Sequence, residues 1–229
     1  MAIAACAAVC VCVNTARAQE RGEEPIAPKI EAFEPDSFFA RRQVLRHDVL
    51  MFSGMLLQNV GQDVQDSTRA LYIGMRFMEN GLRPLRADYA DAGPGRDQVS
   101  YWQAYTKKAR KGKARTHFNV AGVVCGMDPD IARRLVVVGV RTDNMGSMAV
   151  MLELLRYYSQ FPMEKSLVFV ALGREEREND AWQAFWNAFP LDKSCVDAVV
   201  LCPPVEPEPD WMMRSAARLG EALRLLLNR

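Results

Sequence analysis

Three carboxylates stand where two apolar runs end. Asp143 follows the valine-rich run Leu135 to Val140, and Glu175 and Glu176 follow the run Ser166 to Leu172. Between the two runs, Met148, Met151, Leu152, Leu155 and Tyr158 recur at helical spacing and predict a helix over 148–160. Strand, helix and strand in that order make a βαβ unit, and ligands of open α/β sheets bind outside the carboxyl ends of the strands. A carboxylate at each of two neighbouring strand ends is what a metal site needs. The plain alternative is that GREERE is a charged turn in water. Either way, the stretch from Val136 to Trp186 is the unit that the rest of the chain must position.

Further elements are legible on both sides of it. From Asp36 the pattern turns helical, with Phe38, Phe39, Val44, Leu45, Val49 and Leu50 periodic and Asp36 or Ser37 as N-cap. A second helix is predicted over 66–80, its buried face built from Ala70, Leu71, Ile73, Met75, Phe77 and Met78, with Gly81 as its stop. Leu82, Pro84 and Leu85 leave it extended. VSYWQAY alternates like a strand, KKARKGKAR reads as a basic hairpin tip, and His117 to Cys125 is a core strand. Val196 to Leu201 is another strand, Asp180 to Phe189 a short aromatic helix, and 210–228 a closing amphipathic helix. The valine-rich run at Leu135 belongs in the centre of the sheet, because a strand covered on both faces loses the polar alternation.

The chain has 229 residues, with 29 basic and 28 acidic side chains and a formal net charge of +1. That balance gives no electrostatic case for nucleic acid or an anionic membrane as partner. Six basic residues crowd into the nine of KKARKGKAR, but the charge is local, which favours a solvated tip over a nucleic-acid contact.

Residues 1–18, MAIAACAAVCVCVNTARA, are small and apolar and end in Ala-Arg-Ala, the pattern of an export signal, although no Lys or Arg precedes Val13. The expectation is a cleaved signal peptide or a short N-terminal anchor, hence a periplasmic or extracellular protein with no other membrane contact. Residues 19–35, carrying Pro25 and Pro28, read as a linker, and 36–229 as a single domain. Three of the six cysteines fall in the leader, leaving Cys125, Cys195 and Cys202. Cys195 and Cys202 flank a strand and would lie about 20 Å apart if it is extended, so they should not pair.

In collinear order, four stretches resemble one known family. Ala70, Tyr72, Ile73, Phe77, Gly81, Leu82 and Pro84 match its lead-in, and FNVAGVVCGMDPDIARRLVVVGVRTDN, DNMGSMAVMLELLR and LVFVALGREE match the three stretches that follow. The chain, over about residues 40–205, resembles the exported zinc aminopeptidases of peptidase clan MH, the family numbered twenty-eight among peptidases, which includes glutaminyl cyclases. The resemblance implies a three-layer, phosphorylase/hydrolase-like α/β sandwich with a central mixed β-sheet flanked by helices.

It also implies a two-zinc site of His and carboxylate ligands, with a Glu as general base on metal-bound water. Glu175 falls on the general-base position, and Asp143 and Glu176 fall on metal-ligand positions. The family's first metal His falls on Arg141, which has no lone pair to give and opposes a nearby cation. Asp143 stands where two family residues joined by a loop should be, so the loop is read as deleted. Cys202 and Pro203 replace the Asp expected after the next strand, and no residue matches the late His; His47 and His117 fall at positions without a family role. The expectation is therefore a domain that has lost its di-zinc site, binds no zinc tightly, and takes a peptide or protein in its cleft. The alternative is a working hydrolase with a reduced zinc site built from Asp143, Glu176 and a donor such as Cys202 or His117. A third reading is a truncated gene product lacking the last strands.

Overall fold

The computed structural model describes residues 11–13, 42–57, 62–85, 101–108, 114–161, 163–173 and 179–228. Seven strands form one mixed sheet: β1 (Val11–Val13), β2 (Arg83–Pro84), β3 (Trp102–Lys108), β4 (Ala114–Val124), β5 (Leu135–Arg141), β6 (Ser166–Leu172) and β7 (Val196–Leu201). Five helices accompany them: α1 (Arg42–Leu57), α2 (Gln62–Glu79), α3 (Met145–Gln160), α4 (Asp180–Asn187) and α5 (Pro209–Leu227). Across the sheet the order is β1-β7-β5-β6-β4-β2, with β3 also on β4. β5 is parallel to both β6 and β7, while β4 runs antiparallel to β6 and β1 antiparallel to β7.

Alternation along the central strands sorts their side chains into two cores. Val136, Val138 and Val140 of β5, with Phe169 of β6 and Val200 of β7, pack under α1, α2, α3 and α5. Val137, Val168 and Val170 face the other way, onto Ala181 and Phe185 of α4. The result is the expected α/β sandwich of three layers. β5 is buried on both faces from Leu135 to Val140, as its unbroken valine run requires.

Three local features set the helices. Gly81 has φ +72°, the left-handed conformation that suits glycine, and there Leu82 N–H donates to the Phe77 carbonyl at 3.0 Å, closing α2 where expected. Asp48 of α1 is fully buried and meets Arg156 of α3 at 2.8 Å, while Arg156 also holds Glu153 at 2.9 Å. Tyr158 of α3 reaches across to α5 and donates to the Gly220 carbonyl at 2.8 Å.

Several expectations need correction. Leu71, Met75 and Met78 do not join the buried face of α2: they are 53%, 45% and 61% exposed, in line with Val64, while Ala70, Ile73 and Phe77 do reach the core. Leu50 of α1 is likewise exposed, at 69%. α2 begins at Gln62, four residues earlier than predicted, and α3 at Met145. Outside the elements predicted from the sequence, Val11–Val13 forms a strand paired with β7. The residues predicted to start the first helix, 36–41, lie outside the described residues, as do most of the leader and linker. No described helix is long and apolar enough to cross a membrane.

Candidate functional site

Because β5, β6 and β7 run parallel, their carboxyl ends open on one edge of the sandwich. β5 ends at Arg141, and Thr142 N–H donates to the Leu172 carbonyl at 2.9 Å, keeping the chain against β6 for one more residue. Asn144 N–H then donates to the Arg141 carbonyl at 3.3 Å, so strand and helix are joined by one tight turn. Asp143 sits on that turn.

Asn144 caps α3, its side-chain oxygen accepting from Ser147 N–H at 2.8 Å. The same oxygen accepts from Val205 N–H at 3.3 Å, and Ser147 Oγ donates to the Pro203 carbonyl at 2.8 Å. The segment after β7 is thus bolted to the first turn of α3. Gly146 is required there: a Cβ on it would lie 2.2 Å from the Val205 carbonyl oxygen. Arg141, Asp143, Asn144, Ser147, Cys202 and Pro204 enclose a cleft of about 330 Å³. That is at the low end of small-ligand pockets, roughly 300–1,000 Å³, and fits a chain end better than a long segment.

Within the cleft, Arg141 Nε donates to Asp143 Oδ1 at 3.0 Å and Arg141 Nη2 to Asp143 Oδ2 at 2.6 Å. Both carboxylate oxygens therefore face a guanidinium in a two-point contact, the geometry in which Arg and a carboxylate fit best. Both side chains are well exposed, 45% and 39%, so the pair adds only about 0–1 kcal/mol to stability. Cys202 N–H donates to the Gly139 carbonyl at 2.9 Å, continuing the β5–β7 ladder, and burial pushes its thiol up to about 11 despite a hydrogen bond with Ser147. At neutral pH it is a thiol rather than a thiolate.

The other sequence-predicted residues divide. Glu175 and Glu176 lie outside the described residues, which resume at Asn179. Arg141, Asp143 and Cys202 are brought together. His117, a candidate donor in the reduced-site reading, is 2% exposed and its Nδ1 lies 3.2 Å from Asp66 Oδ2 of α2, so it ties helix to sheet. His47 is on the exposed side of α1.

Asn119 lies within one of the resembling stretches and has no role of its own in the resemblance. It is fully buried in β4, donates from Nδ2 to the Ala181 carbonyl at 2.8 Å, and accepts from Gly173 N–H at 2.9 Å. One side chain thereby holds the residues on both sides of the acidic 174–178 segment. Its signal in the sequence was a lone amide in the apolar run FNVAGVV, since a buried polar side chain needs partners.

These residues do not suit a zinc ion. The Arg141 guanidinium engages both oxygens of Asp143, and the Cys202 thiol, pushed up to about 11, keeps its proton at neutral pH. Among the described residues, no three His, Cys, Asp or Glu side chains gather as a metal-binding group.

No protein-family model matches the chain, and no curated protein matches it. Solved structures do resemble it. A glutaminyl cyclase from Macrostomum lignano aligns with TM-score 0.46 and 14% identity over 72% of this chain and 55% of its own. A Zn-dependent exopeptidase from Parabacteroides distasonis aligns with TM-score 0.42 and 12% identity over 57% and 46%. A zinc aminopeptidase from Bacillus subtilis aligns with TM-score 0.25 and 27% identity, over 28% of this chain and 19% of its own. The chain thus spans from about a fifth to about half of these structures, and the activities they are named for are their own.

Proposed function

We propose that this chain is an aminopeptidase-like domain in which metal chemistry has given way to binding, the strand-end cleft taking the end of a peptide or of a protein. The observation that carries the reading is the two-point contact of Arg141 with Asp143. On the resemblance, Arg141 falls on a metal-ligand position, and the contact puts a fixed protein cation against a carboxylate there. Asn144, Ser147 and Cys202 stand along the wall of the cleft beside the ion pair. Arg141 supplies charge for a carboxylate-bearing ligand, and Asp143 for an ammonium-bearing one. The partner is a polypeptide rather than nucleic acid or a lipid surface, and the domain works after export directed by residues 1–18.

Binding of fluorescent tri- and tetrapeptides to the purified full chain tests this, with and without a zinc chelator. Binding at equal affinity under both conditions, without cleavage, is the expected outcome. Zinc-dependent hydrolysis of an aminoacyl arylamide, lost on Glu175→Gln, would replace the reading with that of a reduced-site hydrolase.

A further inference from the structure

The two edges of the sheet are protected in different ways. At the β4 edge, β2 is two residues long and contains Pro84, and β3 ends in Lys107 and Lys108. A short strand, a proline and lysines all discourage another chain from adding on. The β7 edge has none of these. Its sequence is VDAVVL, four of six residues being Val or Leu, and its single charge, Asp197, is already taken by Arg134 and by Lys165 at 2.9 Å. Leu201 is 42% exposed. What covers this edge is a three-residue piece from the far end of the chain: Val11 opposite Val200, Cys12 opposite Val199 and Val13 opposite Ala198, antiparallel.

We propose that the β7 edge is a strand-accepting surface, filled in the intact chain by Val11–Val13 and open to an extended, β-branched polypeptide segment of a partner once that strand leaves. Main-chain hydrogen bonds supply the affinity of such an added strand and alternate side chains its selectivity. Cleavage after Ala18, the export expectation, would remove β1 and leave the outer edge of Ala198–Val200 without a partner strand, the inner edge staying on β5. The antiparallel register sends the N-terminal end of the added strand toward Leu201 and Cys202, the cleft end of β7. The inference extends the peptide-binding reading to a second surface.

The test uses the full chain and the nonapeptide AAVSVSVNT, residues 7–15 with serine for both cysteines. In the C12P/V13P chain, amide exchange over 196–201 should quicken at least tenfold. That chain should bind the labelled peptide at least tenfold more tightly than wild type, and the peptide should restore the slow exchange. A peptide with proline at the positions of Cys12 and Val13 should not bind. Should proline unfold the domain, Val199→Cys gives a second route, because position 199 faces Cys12. The reduced chain should take up the peptide in excess, and the oxidised, cross-linked chain should refuse it. Equal uptake by the reduced and oxidised chains, or binding by C12P/V13P no better than wild type, overturns the proposal. Cleft binding of short peptides should persist in the cross-linked chain, so failure at the edge and failure of the cleft reading give different results.

Discussion

Two Arg–Asp contacts in this molecule use the same chemistry to opposite ends. Arg156 and Asp48 join α3 to α1 inside the helical layer, with the carboxylate fully buried and Glu153 as a second partner. Arg141 and Asp143 are two residues apart on an exposed turn at the mouth of the cleft. Burial makes the first pair a condition of folding: take away the cation and a charge is stranded in the core. Exposure makes the second nearly irrelevant to stability, so its interest lies in what it does to the cleft. There it gives both carboxylate oxygens a partner and places a fixed positive charge that would repel a metal ion.

If that contrast is right, Arg156→Ala should be the most damaging of the substitutions considered, costing about 3–5 kcal/mol in urea unfolding because Asp48 is left uncompensated. Replacing the whole group, Asp48→Leu and Glu153→Leu with Arg156→Met, should recover most of the loss. Next comes Asn119→Ala, which unpairs the Gly173 N–H and takes the side-chain partner from the Ala181 carbonyl. It should cost about 1–3 kcal/mol and speed amide exchange at Gly173 and nearby residues. Arg141→Ala should stay within about 1 kcal/mol of wild type in the same assay, while changing peptide affinity in the cleft. A loss near that of Arg156→Ala would erase the distinction between the pairs.

The pairs should also part in their pH response. Desolvation raises the pKa of Asp48 and outweighs the lowering by Arg156. A carboxylate with a raised folded pKa binds more protons folded than unfolded, so its contribution is fully present below its unfolded value, near 3.8, and is lost as pH rises through the folded pKa. The melting temperature of wild type relative to Asp48→Asn should therefore improve as pH falls from 7 toward 4. A smaller effect concerns Cys202. With its thiol pushed up to about 11, alkylation between pH 7 and 9, followed residue by residue by mass spectrometry, should lag behind that of a free model thiol.

Much of the fold was legible because the informative signals were local. β6 and β7 fall where their β-branched runs begin and end, and Gly81 stops α2 as a glycine beyond a periodic stretch should. The failures have a common cause: composition does not say which of two apolar surfaces is covered. α2 carries Leu71, Met75 and Met78 outward and Ile73 and Phe77 inward, so apolar residue type alone does not say which positions are covered. The small, apolar leader reads equally as an export segment and as a strand, and only the β7 ladder distinguishes the pairing. At the cleft, Arg141 and Cys202 were found by position in a collinear resemblance, whereas the contact between Arg141 and Asp143 needed coordinates. The Asp48–Arg156 pair, 108 residues apart, leaves no periodic trace.

The metal content of the purified full chain tests the central claim most directly. After expression in zinc-supplemented medium and dialysis against buffer, inductively coupled plasma mass spectrometry should find well under one equivalent of zinc per chain, with Arg141→His binding more than wild type. Two tightly held equivalents in wild type, with turnover of an aminoacyl arylamide, would contradict the claim that Arg141 has taken the place of a metal ligand.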